Sequence, residues 1–219
     1  MSRRIVVISS GLSRPSSTRL LADRISEAVA IQVSARGESA AVEVVELREL
    51  AQDLATTMTT GGMATGTVAR ARDLVSSADG VIAVTPVFTA SYSGLFKMFM
   101  DVLDTDSLNG MPVLIAATAG TARHQLVLDH ALRPLFTYLR AVVVPTGVFA
   151  ATEDFGGDGA GGLTDRIGRA ASELAALVVA ESGAVAGFTQ VGSTGRARRS
   201  GNDLAEVTDF EDLMQGLGR

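Results

Sequence analysis

Short apolar-rich runs punctuate the chain at residues 5–8, 42–47, 80–85, 112–118 and 141–144, and between them the apolar positions fall at helical spacing. A run of four to eight apolar residues bounded by turn residues is the pattern of a strand buried on both faces. Helical spacing follows the first run, in Leu20, Leu21, Ile25, Ala28 and Val29, and returns over residues 68–78, 92–103, 123–139 and 165–179. Pro134 inside the fourth of these should kink or interrupt it, because proline lacks an amide and clashes with the preceding turn. Residues 56–67, TTMTTGGMATGT, are polar and glycine-rich without period and read as a surface loop.

Five strands separated by helices predict an α/β, doubly wound, five-stranded parallel sheet, since parallel neighbours need crossover connections. The order expected is 2-1-3-4-5, that of a flavodoxin-like fold. A dinucleotide fold would need a sixth strand, and none is found after Val179. Residues 1–182 form one domain in this reading, followed by a tail, 183–219, of turn composition except for FEDLMQGL at 210–217.

Of the 219 residues, 47% are hydrophobic and 20% charged, which is the composition of a globular protein, and no stretch approaches the length of a membrane span. Cysteine is absent, so any redox chemistry must come from a bound cofactor. A net charge of -5 argues against nucleic acid as a partner. The apolar run in MSRRIVVISSG is too short for a signal sequence and reads as the first strand of a cytoplasmic protein.

In the 2-1-3-4-5 order the loops after strands one, three and four meet at the switch point, where open α/β sheets bind ligands. The first, residues 9–18, holds five serines and one threonine at the mouth of a helix. Hydroxyls and free amides there suit a terminal phosphate, with Ser10, Ser16, Ser17 and Thr18 as candidates, or Ser16 or Ser17 serves only as a helix cap. One glycine is too few for a Walker loop or a GxGxxG fingerprint. The third-strand loop, 85–94, sets Pro86, Val87, Phe88 and Tyr92 beside the hydroxyls of Thr89, Ser91 and Ser93, which suits a planar heterocycle; a plain helix entry capped by Ser91 or Ser93 is the alternative. In the fourth loop, Thr118, Ala119, Gly120 and Thr121, the glycine lets backbone amides approach a ligand closely.

With SSGLSRPSSTRLL, TPVFTASYSGLFKMFMDVL and ATAGTARHQLVLDHALRPLFTYLRA followed by GVFA in view, residues 4–155 resemble the NADPH-dependent FMN reductases, including the sulfonate-utilisation type. The resemblance implies that Ser10, Ser16, Ser17 and Thr18 hold the FMN phosphate, that Pro86, Val87, Phe88, Thr89, Ala90 and Ser91 line the isoalloxazine, and that Thr118, Ala119, Gly120 and Thr121 contact its other edge. It also implies hydride transfer from the nicotinamide of NADPH or NADH to flavin N5, a homodimer or homotetramer, and a possible flavin-dependent monooxygenase as recipient. Phe88 stands where the family usually has Tyr, and Ala119 where it often has Gly; neither departure removes a backbone donor. No side chain is nominated as catalytic, because hydride transfer needs stacking and charge stabilisation rather than an acid or base. Two alternatives stay open: a reductase that retains FMN and reduces quinones, azo dyes or metal oxyanions, and an electron carrier that does not itself oxidise NAD(P)H.

Arg14 either meets the nicotinamide nucleotide or is a solvated charge. His124 and His130 are six apart, off one helix face, so no metal is expected. GGDGAGG at 156–162 contains GxGxxG among acidic residues and reads as a connector, and GRARRS at 195–200 as a solvated basic tail or a partner contact. Leu95, Phe96, Met98, Phe99, Met100, Val102 and Leu103 cover more than one helix face, predicting burial against the sheet and against a second subunit unless later elements cover them.

Overall fold

The computed structural model describes residues 2–156, 160–180 and 198–202. The chain runs β1 (Ser2–Ser9), α1 (Ser17–Ser34), β2 (Ser39–Glu46), α2 (Ala51–Thr59), α3 (Gly66–Ser76), β3 (Gly80–Phe88), β4 (Ser91–Tyr92), α4 (Gly94–Asp101), β5 (Pro112–Ala119), α5 (Arg133–Tyr138), β6 (Val142–Val143), β7 (Val148–Ala151) and α6 (Ala160–Ala180). The sheet order is β2-β1-β3-β5-β6, parallel along this path, so the expected flavodoxin-like winding is observed.

The sheet has seven strands rather than five. The fifth position is split: β6 pairs with Pro112 and Val113 of β5, while β7 pairs with Ala116 to Ala119. Pro145 and Gly147 fall in the break, where a missing amide and a missing side chain both weaken a ladder. The other addition is β4, which folds back antiparallel on the end of β3.

Alternate residues of the central strands feed two cores. Val113, Ile115 and Ala117 of β5 join the cluster under α3, α4 and α5, and Leu114 and Ala116 join the one under α1 and α6. Burial on both faces is why these strands read as continuous apolar runs. Gly80 lets α6 approach closely, since a Cβ there would lie 2.8 Å from Val178 Cγ2.

Several helices differ from their expected spans. α4 is short, starting at Gly94 behind the cap Ser93, whose hydroxyl accepts from the Phe96 amide at 3.2 Å. Phe96, Phe99 and Met100 are buried and Leu95 and Met98 half-buried, so the protein's own core takes most of this apolar surface. The stretch expected as one helix over 123–139 is a 3-10 turn (Ala122–His124), a π turn (Leu128–Leu132) and then α5. Pro134 accounts for the π turn, because it has no amide for the His130 carbonyl and widening the coil relieves its ring clash.

The basic run is not a solvated tail where it is described. Arg198 donates to the carbonyls of Ala78 (2.6 Å) and Asn109 (3.1 Å), and Ser107 Oγ donates to the Arg199 carbonyl at 2.7 Å. Arg72, only 6% exposed, donates to the carbonyls of Ser200 (2.9 Å) and Gly201 (2.6 Å). Burial lowers the Arg72 pKa, opposed by Asp104 and Asp73. Asn202 Nδ2 then reaches the Ala69 carbonyl, so residues 198–202 form a strap ascending α3. FEDLMQGL and residues 157–159 of GGDGAGG lie outside the described residues, and 160–162 open α6.

Candidate functional site

A cleft of about 320 Å³ opens at the carboxyl ends of β1, β3 and β5. It is lined by Leu12, Ser13, Ser17 and Thr18 from the first loop, Pro86, Val87 and Phe88 from the end of β3, Thr118, Ala119 and Gly120 from the end of β5, and Thr152. The three loops expected to converge therefore do so.

The serine loop divides its hydroxyls between structure and cleft. Ser10 is fully buried, its Oγ donating to the Val84 carbonyl at 3.2 Å, so it ties β1 to β3 and does not line the cleft. Ser16 caps α1 by accepting from the Arg19 amide at 3.2 Å. The Leu20 amide makes the first helical bond, to the Ser16 carbonyl, leaving the Ser17 and Thr18 amides without an intrahelical partner. Those amides and the positive end of α1 sit at the cleft mouth, where an anion is favoured. Gly11 packs against this helix start, and a Cβ there would collide with Ser16 Oγ.

Thr18 Oγ1 and Thr118 Oγ1 lie 2.8 Å apart, and both residues are 3% exposed. One hydroxyl pair thus joins the start of α1 to the end of β5 in the cleft wall. Opposite charges flank the serine loop outside the cleft. The Arg19 guanidinium lies 2.6 Å from Glu46 and 2.7 Å from Asp23, and these bonds, Glu46 first, raise its pKa. Arg14, the suggested nucleotide contact, is largely exposed and 3.9 Å from Glu49.

On the second wall β3 turns into β4 through Thr89 (φ 49°) and Ala90 (φ 63°). Positive φ at both central residues is what a primed two-residue hairpin needs, here without the usual glycine or asparagine. The turn is pinned beneath by Thr85 Oγ1, which accepts from the Ser93 amide and donates to the Pro86 carbonyl, both at 3.0 Å. Phe88 is left 47% exposed on the cleft. Thr89, Ala90, Ser91 and Thr121 are not among the lining residues, nor are Ser10 and Ser16; Ser91 pairs in the hairpin and Ser93 is the helix cap.

Leu12, Ser13 and Thr152 were not anticipated. Thr152 arrives from β7, a strand the apolar pattern does not reveal, while Leu12 and Ser13 lie within the expected loop. A second cavity of about 380 Å³ adjoins, lined by residues that include Ala122, Gln125, Glu153 and Arg166. His124 and His130 are both exposed, and no metal-binding cluster exists among the described residues. No helix among them is long and apolar enough to cross a membrane.

Residues 3–156 match the family of NADPH-dependent FMN reductases. The chain belongs to this family. It is 38% identical over 154 residues to an FMN reductase (NADPH) of Pseudomonas aeruginosa, covering 69% of this chain and 78% of the relative. It is 39% identical over 147 residues to the NADH-dependent FMN reductase SfnE of Pseudomonas putida, covering 67% and 76%. Among solved structures, an oxidoreductase of Corynebacterium diphtheriae superposes with a TM-score of 0.79 at 61% identity, covering 82% of this chain and 98% of that one. The cleft of this family member suits a flavin mononucleotide: it offers two helix-start amides without an intrahelical partner for a phosphate, an apolar wall at Pro86, Val87 and Phe88 for a ring, and open space at Gly120 where no atom lies within 4 Å of an added Cβ.

Proposed function

We propose that this family member is an NAD(P)H-dependent FMN reductase whose flavin site is the cleft between the serine loop, the β3–β4 hairpin and the β5 end. The convergence of Ser17, Thr18, Phe88, Thr118 and Gly120 on one cleft carries this reading. Bound FMN supplies the hydride acceptor, its N5, for the nicotinamide. The chain's own part is to hold and orient. The Ser17 and Thr18 amides and hydroxyls receive the phosphate, Pro86, Val87 and Phe88 give the ring an apolar face, and the Gly120 amide stands at the edge where charge develops on reduction. Ser10 and Ser16 act from behind, by fixing the β1–β3 junction and the helix cap.

Phe88 and the exposed Leu12 give the cleft an apolar entrance at which a nicotinamide ring stacks and water is excluded. Arg14, exposed beside that entrance, meets the nucleotide's phosphates. Reduced FMN passes to a flavin-dependent monooxygenase in the cytoplasm, and the protein works as a homodimer or homotetramer.

Oxidation of NADH and NADPH, followed with and without added FMN, tests the activity. FMN-dependent oxidation of at least one nucleotide is expected, and none of either overturns the reading. Loss of yellow colour on dialysis marks FMN as a substrate, whereas a retained flavin marks the FMN-retaining type of reductase.

A further inference from the structure

Arg48 lies in the single turn Leu47–Leu50 that follows β2, outside every motif that points to flavin. Its guanidinium crosses to the serine loop, where one terminal nitrogen donates to the Ser13 carbonyl at 3.1 Å. Ser13 itself lines the cleft. The Arg48 Nε is buried and has no hydrogen-bond partner among the described residues.

Three arginines border this loop, and two are compensated. Arg19 is held by Glu46 and Asp23, and Arg14 lies within reach of Glu49. Among the described residues Arg48 has no carboxylate within ion-pair distance, so it is the cation whose field is left over for an anion in the loop. The loop sequence, SSGLSRPSST, contains no acidic residue to consume that field. The hydrogen bond has a second effect. A backbone carbonyl turned toward a phosphate would repel it, and the Ser13 carbonyl is instead directed at Arg48.

We propose that Arg48 is a positioning residue for the phosphate of the flavin: it withdraws the Ser13 carbonyl, fixes the serine loop, and supplies uncompensated positive charge behind it. This rests on the FMN reading of the cleft. Arg48 is not among the residues lining the cleft, so its effect belongs to affinity for the phosphorylated flavin and not to turnover at saturation.

The test is fluorescence titration of the full-length protein with FMN and with riboflavin, which lacks the phosphate, at low and high salt. Arg48→Gln keeps an amide donor for Ser13 without the charge, and Arg48→Lys keeps the charge without the planar fork. In Arg48→Gln, FMN affinity should fall about tenfold at low salt. That loss should shrink at high salt, riboflavin affinity should stay within about twofold, and Arg48→Lys should recover part of the loss. At saturating FMN and nicotinamide nucleotide, kcat should be unchanged. Equal weakening of both flavins would assign Arg48 a purely structural role and overturn the proposal, as would unaltered FMN affinity in a folded Arg48→Gln. A wild-type protein that binds neither flavin defeats the FMN reading itself, an outcome separate from any difference between variants.

Discussion

The Thr18–Thr118 hydroxyl pair provides a quantitative test of how the cleft is held. The bond is 2.8 Å long, both residues are 3% exposed, and they stand 100 positions apart in sequence. Valine matches threonine in shape and branching, so replacement removes the hydroxyl with little change in volume or χ1 preference. Thr18→Val or Thr118→Val alone leaves the surviving hydroxyl buried without its partner, which costs about 1–3 kcal/mol. Replacing both removes the need along with the partner and approaches neutrality. The double variant should therefore be more stable than the sum of the singles requires, by about the two single losses together, roughly 2–6 kcal/mol. For a chain of this size each single variant should melt roughly 2–12 °C lower, with the double variant near wild type. Urea unfolding of the flavin-free protein measures the cycle, and additivity within about 0.5 kcal/mol would refute the bond's contribution. The same variants separate stability from binding. Both residues line the cleft, so the stable double variant should still bind FMN several-fold more weakly, and unimpaired FMN affinity would remove these hydroxyls from the flavin site.

Three further outcomes are expected. Ala90→Gly relieves a left-handed residue and should raise stability by about 0.5–1 kcal/mol after glycine's own entropy cost, measured by thermal melting. Arg72→Ala strips the Ser200 and Gly201 carbonyls of their donor; hydrogen exchange at residues 198–202 should rise while FMN affinity holds, and unchanged protection there would contradict the strap. Gly80→Ala forces α6 away from β3 at Val178 and should cost about 1–3 kcal/mol in urea unfolding, without altering the nucleotide preference.

Strands β1, β3 and β5 were legible because burial on both faces leaves unbroken apolar runs, and their order placed three loops at one edge. The fifth strand was legible only in its first half, since Val148–Ala151 follows a proline and a glycine and looks like a loop's end. The hairpin at Thr89 and Ala90 was hidden for the opposite reason: its turn lacks the glycine that marks such turns in sequence. A serine-rich loop announces hydroxyls but not their directions. Ser10 continues the buried end of β1 and spends its hydroxyl on Val84, while Ser17, seven residues on, lines the cleft. The strap was unreadable because backbone carbonyls, which no side-chain pattern reports, accept from Arg72 and Arg198.

The broken fifth strand also makes the two margins of the sheet unequal as templates for self-association. On that side an incoming strand meets two residues, a proline-containing gap, then four more, too interrupted a ladder to extend. The opposite margin, β2, is an uninterrupted eight-residue strand with Val42 and Val44 more than a third exposed. Its protection is charge: Glu43 stands between those valines, 3.7 Å from Arg4. Aggregation by strand addition is thus confined to one margin, with Glu43 as its gatekeeper.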